Sequence, residues 1–335
     1  MKSKALITRE DQSFAIEEVD VPAPAPDQVL IRTRYSGVSV GTEFALIRNK
    51  ISWGPYPLCT GYQATGVIEQ VGREIVGFAP GDPVYVRGGD QITLRDGTAV
   101  SMVSGAHASH ILRKAGTNHA FDHLPVGVDL AAASLFVLPA VGFAGVEMAG
   151  PRLGETVVIH GCGLIGLGAL AACVQRGCVV IAVDLNERAL QMAQVFGADH
   201  LIHAKRQDVA AAVRQLAPQG ADVVFECTGL PSCVNPAIEL CRTQGTFVWQ
   251  GNYGALPVPL NFMAAHGRRL RMFFPCDDGW APCRRGVLKQ MALGSLPWAK
   301  TITHRLDYTE APAMYHAINT ATSDAMGIVI NWEHA

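Results

Sequence analysis

The feature that most constrains this chain is Gly161-Cys-Gly163-Leu-Ile-Gly166, read with what stands on either side of it. Alone, a G-x-G-x-x-G run is weak. Here an apolar strand, Thr156–His160, leads into it, and an alanine-rich helical stretch, 164–176, leaves it. A second strand, Val179–Asp184, then ends on a carboxylate eighteen positions after the last glycine. That is the strand–turn–helix–strand context that holds a dinucleotide. Gly161 permits the tight turn, Gly163 lets the backbone approach a pyrophosphate, and Gly166 allows close helix–strand packing. Leu164 and Ile165 open the helix, whose N-terminal N–H groups and dipole would face the phosphates. Asp184 would accept hydrogen bonds from both ribose hydroxyls and repel a 2′-phosphate, which favours NAD over NADP. Arg188 is the nearby residue able to offset that repulsion.

Alternation continues downstream, with helices expected at 187–196, 209–216 and 232–240 and strands at 200–202, 223–226 and 246–250. Such βαβ units imply a doubly wound parallel sheet with helices on both faces. Strand carboxyl ends line the ligand crevice of such a sheet. Thr228 and Gly229, just past Glu226, are therefore expected to approach the cofactor, and Gly251 and Asn252 to border its nicotinamide end. The first 115 residues read differently, as short strands at 4–8, 14–19, 28–36, 66–71 and 83–86 separated by Pro/Gly/Asp turns, with little helix. The fold class is α/β: a β domain at 1–137 rejoined by 275–335, and a dinucleotide-binding domain at 138–274.

Composition supports two domains. The chain has 335 residues, 49% apolar and 17% charged, which is enough for a large core and against disorder. Net charge is −2, and the densest basic cluster, Arg268-Arg269-Leu270-Arg271, reads as a solvated helix end, so no nucleic-acid partner is expected. The longest apolar stretch, 157–183, is broken by glycines and Arg176 and does not read as a membrane span. Met1-Lys2-Ser3-Lys4 opens a strand pattern without a signal-peptide run, so a cytoplasmic enzyme acting on a small molecule is expected. Nine cysteines contain no C-x-x-C and fit no zinc template; they read as reduced small hydrophobes.

Further landmarks stand in order: Tyr35-Ser-Gly-Val38, Gly61-Tyr-Gln-Ala-Thr-Gly-Val67, Pro80-Gly-Asp-Pro-Val84, Gly154-Glu-Thr-Val157 and the glycine fingerprint. Together they resemble the medium-chain dehydrogenase/reductase superfamily over essentially the whole chain. The resemblance implies a GroES-like β domain, a Rossmann domain and a C-terminal return to the first. It also implies a homodimer formed along the edge of the dinucleotide sheet, near 256–260 and 270–274. The departures concern metal. Zinc members place a Cys in the segment that here reads Gly37-Val-Ser39-Val-Gly-Thr-Glu43, a His-Glu pair where Tyr62 and Gln63 stand, and a third ligand near 136–139, which here is apolar. Hydroxyls and a leucine do not make a zinc site. The structural-zinc lobe is missing too, since 87–110 contains no cysteine. The chain is expected to be metal-free. Ser36-Gly-Val-Ser-Val-Gly-Thr-Glu43 and Tyr56-Pro-Leu-Cys-Thr-Gly-Tyr62 look most like a zinc-free branch containing bacteriochlorophyllide dehydrogenases, which oxidise a hydroxyethyl side chain to a ketone.

Without metal, another group must stabilise or protonate the substrate oxygen. Tyr62 carries a hydroxyl able to donate to a carbonyl. Thr42 matches the superfamily's proton-relay hydroxyl, Ser39 is adjacent, and Glu43 is either a base or a helix cap. Each also has a structural reading: volume filling, capping or turn formation. His107 and His110 are expected to share a strand face, as a candidate proton shuttle in what is mainly a structural strand. His119, His123 and His304 read as surface loop residues. Phe44, Trp53, Tyr56, Trp249, Tyr253, Trp280 and Trp298 are candidate linings for a large apolar ligand, or core. The leading expectation is a zinc-independent oxidoreductase passing hydride between NAD(H) and a bulky secondary alcohol or ketone. The alternatives are an NAD(P)H-dependent enoyl or quinone reductase, a dinucleotide-binding protein without turnover, and a redox-neutral use of bound NAD.

Overall fold

A computed structural model describes residues 1–50, 54–116, 120–278 and 281–335. Trp53, His119 and Trp280, singled out above, lie outside the described residues. The chain forms two compact units, Met1–Phe136 with Leu288–Ala335, and Val137–Val287. The return to the first unit thus comes at Leu288, inside the helix Ala281–Ala292, and not at 275.

The first unit is built on two sheets. Lys2–Thr8 lies centrally in a five-stranded sheet, between Phe14–Asp20 and Leu58–Cys59. Gln28–Gly37 is the hub of a seven-stranded sheet, pairing antiparallel with Ala64–Val71, His110–Lys114 and the C-terminal strand Gly327–Asn331. Alternating apolar residues on these strands (Val29 and Ile31 from one, Ala64 and Ile68 from the next) bury one face of the larger sheet. The helix Val40–Ile47 interrupts the β pattern; the cap readings of Thr42 and Glu43 place a helix here, and it starts ahead of both residues. Phe44 and Ile47 go into a core with Tyr315, Ile330 and Trp332, a tertiary reward that local β-rich composition does not reveal.

The second unit is a six-stranded parallel sheet in the order His200–His203, Val179–Asp184, Thr156–His160, Ala221–Glu226, Cys241–Trp249, Arg271–Phe273. The expected helices fall at Leu164–Gln175, Glu187–Val195, Val209–Leu216 and Pro231–Ile238. The strand expected from 246 begins at Cys241, because Gln244 takes a left-handed turn (φ 61°) that interrupts the apolar pattern without ending the pairing. Arg268 and Arg269 do end a helix, Arg269 in left-handed conformation at φ 54°.

Several side-chain readings change. His107 and His110 do not share a face: three residues apart on extended chain they point to opposite sides. His107 turns to Glu43, and His110 to Glu69 at 3.5 Å. His123 and His304 belong to strands, not loops. Phe44 and Trp298 are core, each 1% exposed.

The second unit also buries an ion pair. Arg284 donates to Asp278 through two nitrogens, Nη2 to Oδ1 at 2.9 Å, with side chains only 2% and 0% exposed. Removing one partner strands the other charge. Asp278→Ala is expected to lower unfolding free energy by about 3–5 kcal/mol in chemical denaturation. A loss under about 1 kcal/mol would mean that water reaches Arg284 freely.

Candidate functional site

In the second unit the glycine turn behaves as its residue types require. Gly161 sits at φ +99°, and a Cβ there would meet Thr228 Cγ2 at 2.9 Å. A Cβ on Gly166 would lie 2.0 Å from the Gly161 carbonyl oxygen, so helix and strand touch backbone to backbone. Gly163 differs: it is exposed, its φ of −67° suits any residue, and a Cβ would meet nothing within 4 Å. It caps the helix without a side-chain bond, and the first helical bond is Leu167 N–H to Gly163 O at 2.8 Å. The N–H groups of Leu164 and Ile165 precede that bond and are the helix end's donors for an anion.

Asp184 ends its strand beside this turn. Its Oδ2 accepts Cys162 N–H at 2.7 Å and its Oδ1 accepts Asn186 N–H at 2.8 Å. Asn186, not Asp184, caps the following helix. A carboxylate has about four acceptor positions, so two remain for a pair of hydroxyls. Beside it lies an open hollow of about 510 Å³ lined by Leu185, Asn186, Glu187, His203, Lys205 and Arg206. Arg188 stands in the adjoining helix turn, and Arg206 is paired with Glu187 at 2.8 Å. Open space at Gly163, free acceptor positions at Asp184 and the helix end together fit a dinucleotide.

Glu226 is the part of this site that sequence reasoning missed. It is fully buried, and its carboxylate accepts Thr228 N–H at 3.0 Å, the Thr228 hydroxyl, Gly229 N–H at 3.4 Å and the Tyr253 hydroxyl. Gly251 lies against Gly229, where a Cβ would come within 2.5 Å of the Gly229 nitrogen, and a Cβ on Gly229 would meet the Asn252 carbonyl at 2.8 Å. Glu226 therefore shapes both turns expected at the cofactor, 228–229 and 251–252. In the adjacent strand, His160 pairs in register with Glu226, and its buried Nδ1, without a hydrogen bond, stands 3.9 Å from Glu226 Oε1. Burial pushes the His160 pKa down, against the pull of Glu226. The signal was available: both residues occupy strand carboxyl ends of a parallel sheet.

In the first unit, the four candidate catalytic residues come together. The Tyr62 hydroxyl donates to Ser39 Oγ at 2.5 Å, with the Thr42 hydroxyl near enough to pull the phenol's pKa down slightly. Burial raises the Tyr62 pKa to about 12, although Ser39 and the Arg87 guanidinium, 4.6 Å from the ring centre, act the other way. The phenol keeps its proton at neutral pH. Ser39 is the N-cap of the helix Val40–Ile47, but its own hydroxyl makes no cap bond, and Thr42 lies inside the helix and is not the cap. Glu43 reaches back to the Ser39 N–H at 2.7 Å. It is 1% exposed and also contacts the Thr60 hydroxyl at 2.8 Å, the Tyr315 hydroxyl at 2.6 Å and His107 Nε2 at 3.0 Å. Burial alone would raise its pKa, but His107 and these donors outweigh it and hold the carboxyl below its ordinary value. Glu43 is a charged support, enclosed and saturated, and not a base open to substrate.

Ser39 and Tyr62 offer hydroxyls, which are not the thiolate, imidazole or carboxylate donors that zinc takes. Among the described residues no three His, Cys, Asp or Glu side chains gather to hold a metal ion. No described helix is long and apolar enough to cross a membrane.

Two family models match this chain: the alcohol dehydrogenase GroES-like domain over residues 25–130 and the zinc-binding dehydrogenase over residues 165–291. Sorbitol dehydrogenase of Halalkalibacterium halodurans is 28% identical, the match covering 92% of this chain and 93% of that protein. Sorbitol dehydrogenase of Gallus gallus is 26% identical, covering 92% of this chain and 90% of its own. Among solved structures, an alcohol dehydrogenase zinc-binding domain protein from Burkholderia ambifaria superposes with a TM-score of 0.88 at 19% identity over 100% of both chains. A putative zinc-binding dehydrogenase from Sinorhizobium meliloti bound to NADP superposes at 0.85 and 22% identity over 99% of both. The chain belongs to the medium-chain dehydrogenase/reductase superfamily. It is an NAD(P)-dependent oxidoreductase of that type.

The two glycines separate folding from binding. Gly163→Ala is expected to cost no more than about 1 kcal/mol of stability, yet to weaken dinucleotide binding at least about tenfold in calorimetric titration. Gly166→Ala must displace the Gly161 carbonyl and is expected to cost about 1–3 kcal/mol in thermal unfolding.

Proposed function

We propose that this enzyme interconverts a secondary alcohol and a ketone with NAD(H), without zinc, and that its substrate is bulky. The observation that carries the reading is the 2.5 Å bond between the Tyr62 and Ser39 hydroxyls, residues that the sequence resemblance matches to metal-ligand segments of zinc members. A bound dinucleotide supplies or accepts the hydride. The chain's own residues manage the proton. With a pKa raised to about 12, Tyr62 is a donor: as the carbonyl oxygen gains charge it takes the phenolic proton, the Ser39 and Thr42 hydroxyls turn their hydrogens toward the phenolate left behind, and a proton passed along them from water restores the phenol. In alcohol oxidation the same atoms run in reverse. Asp184 supports NAD over NADP, since a 2′-phosphate would approach a carboxylate already fixed by two N–H groups. The same reading has two copies pairing along the open edge of the parallel sheet, where Arg271–Phe273 is the last strand and Leu256 and Phe274 are 81% and 65% exposed.

Tyr62→Phe is expected to lower kcat for ketone reduction about 10²–10⁴-fold, with dinucleotide affinity unchanged. Fluorescence titration is expected to show NADH binding more tightly than NADPH by at least about tenfold. A preference for NADPH would overturn the role of Asp184 and favour an enoyl or quinone reductase. An unaffected Tyr62→Phe enzyme would remove the phenol from the chemistry.

A further inference from the structure

His107 belongs to a buried chain that neither the cofactor nor the proton transfer above uses. It is 0% exposed. Trp332 Nε1–H donates to Ser36 Oγ at 2.8 Å, and Ser36 Oγ lies 2.8 Å from His107 Nδ1. Glu43 holds its charge and can only accept, so Nε2–H donates to it at 3.0 Å, and Nδ1 is the ring atom left to take the Ser36 hydrogen. Every hydrogen in the chain then has an acceptor. At its end, Glu43 holds the two segments that flank the Tyr62–Ser39 bond: Ser39 through its N–H, and Thr60 through its hydroxyl. His107 also touches the link between them. Gly61 stands at φ +85°, and a Cβ there would fall 2.6 Å from the imidazole, so the ring occupies the side-chain space of the residue just before Tyr62.

We propose that His107 is a positioning residue for the Tyr62–Ser39 hydroxyl pair, acting through Glu43 and through its contact with Gly61. The proposal rests on the proton-donor role given to Tyr62. A phenylalanine would fill similar space against Gly61 and would satisfy a purely structural need. What it lacks is the N–H that fixes the Glu43 carboxylate, and with it the distance between residues 39 and 62.

The test compares His107→Phe with His107→Gln, which retains a donor. Two readouts are the ring-carbon NMR signal of Tyr62 in ¹³C-tyrosine-labelled protein, assigned by its absence in Tyr62→Phe, and the kinetic constants for ketone reduction. His107→Phe is expected to shift the Tyr62 signal and lower kcat about 10–100-fold, with NADH affinity and KM little changed. His107→Gln is expected to recover part of both. If His107→Phe does not melt cooperatively, Glu43→Gln replaces it with the same expectation. A Tyr62 signal and kcat equal to those of the unaltered enzyme would overturn the proposal. So would equal losses in both His107 variants with parallel loss of NADH affinity. If the unaltered enzyme reduces no ketone yet the Tyr62 signal moves, the donor role falls while the positioning claim stands.

Discussion

A carboxylate taken out of water must be met by donors or lose its charge, and removing it costs several kcal/mol before any contact is counted. Glu43 is met on every side: a backbone N–H, two hydroxyls and an imidazole converge on two oxygens. Those partners come from the loop before the helix Val40–Ile47, from the segment before Tyr62, from the strand approach at His107 and from the helix Ala311–Asn319 at Tyr315. The first unit closes on itself around this charge. Two of those contacts, to the Ser39 N–H and the Thr60 hydroxyl, tie together the segments on either side of the Tyr62–Ser39 bond. A hydrogen-bonded charge is a weak source of stability compared with apolar packing, but it specifies position.

The second unit uses the same device. Glu226, fully buried at a strand end, gathers Thr228, Gly229 and Tyr253. Through them it sets the two turns, 228–229 and 251–252, that the sequence marks for the cofactor. Each unit thus fixes a loop that carries candidate site residues from beneath with a buried carboxylate.

The dinucleotide half was legible because its signals are local. Strand, glycine turn, helix and acid follow within one stretch, and the period of the pattern changes where the elements change. The hydroxyl pair was legible only through resemblance, since nothing in the spacing of Ser39 and Tyr62 brings them to 2.5 Å. Glu43 was read as a base or a cap because its partners, Thr60, His107 and Tyr315, are scattered across the chain and no local pattern announces them. The helix Val40–Ile47 was legible only through the cap readings of Thr42 and Glu43, and the burial of Phe44 and Ile47 is the tertiary part that no local pattern shows. His107 and His110 were misplaced by a period error, odd spacing on extended chain being opposite-facing.

The central claim is that hydroxyls held by a buried carboxylate do here what metal does in zinc relatives. The most direct measurement is turnover of a ketone by protein dialysed against a strong chelator, with its zinc content determined on the same sample. The account predicts full activity with zinc far below one per chain, and no gain when zinc is restored. Activity that disappears on chelation and returns with stoichiometric zinc would contradict it.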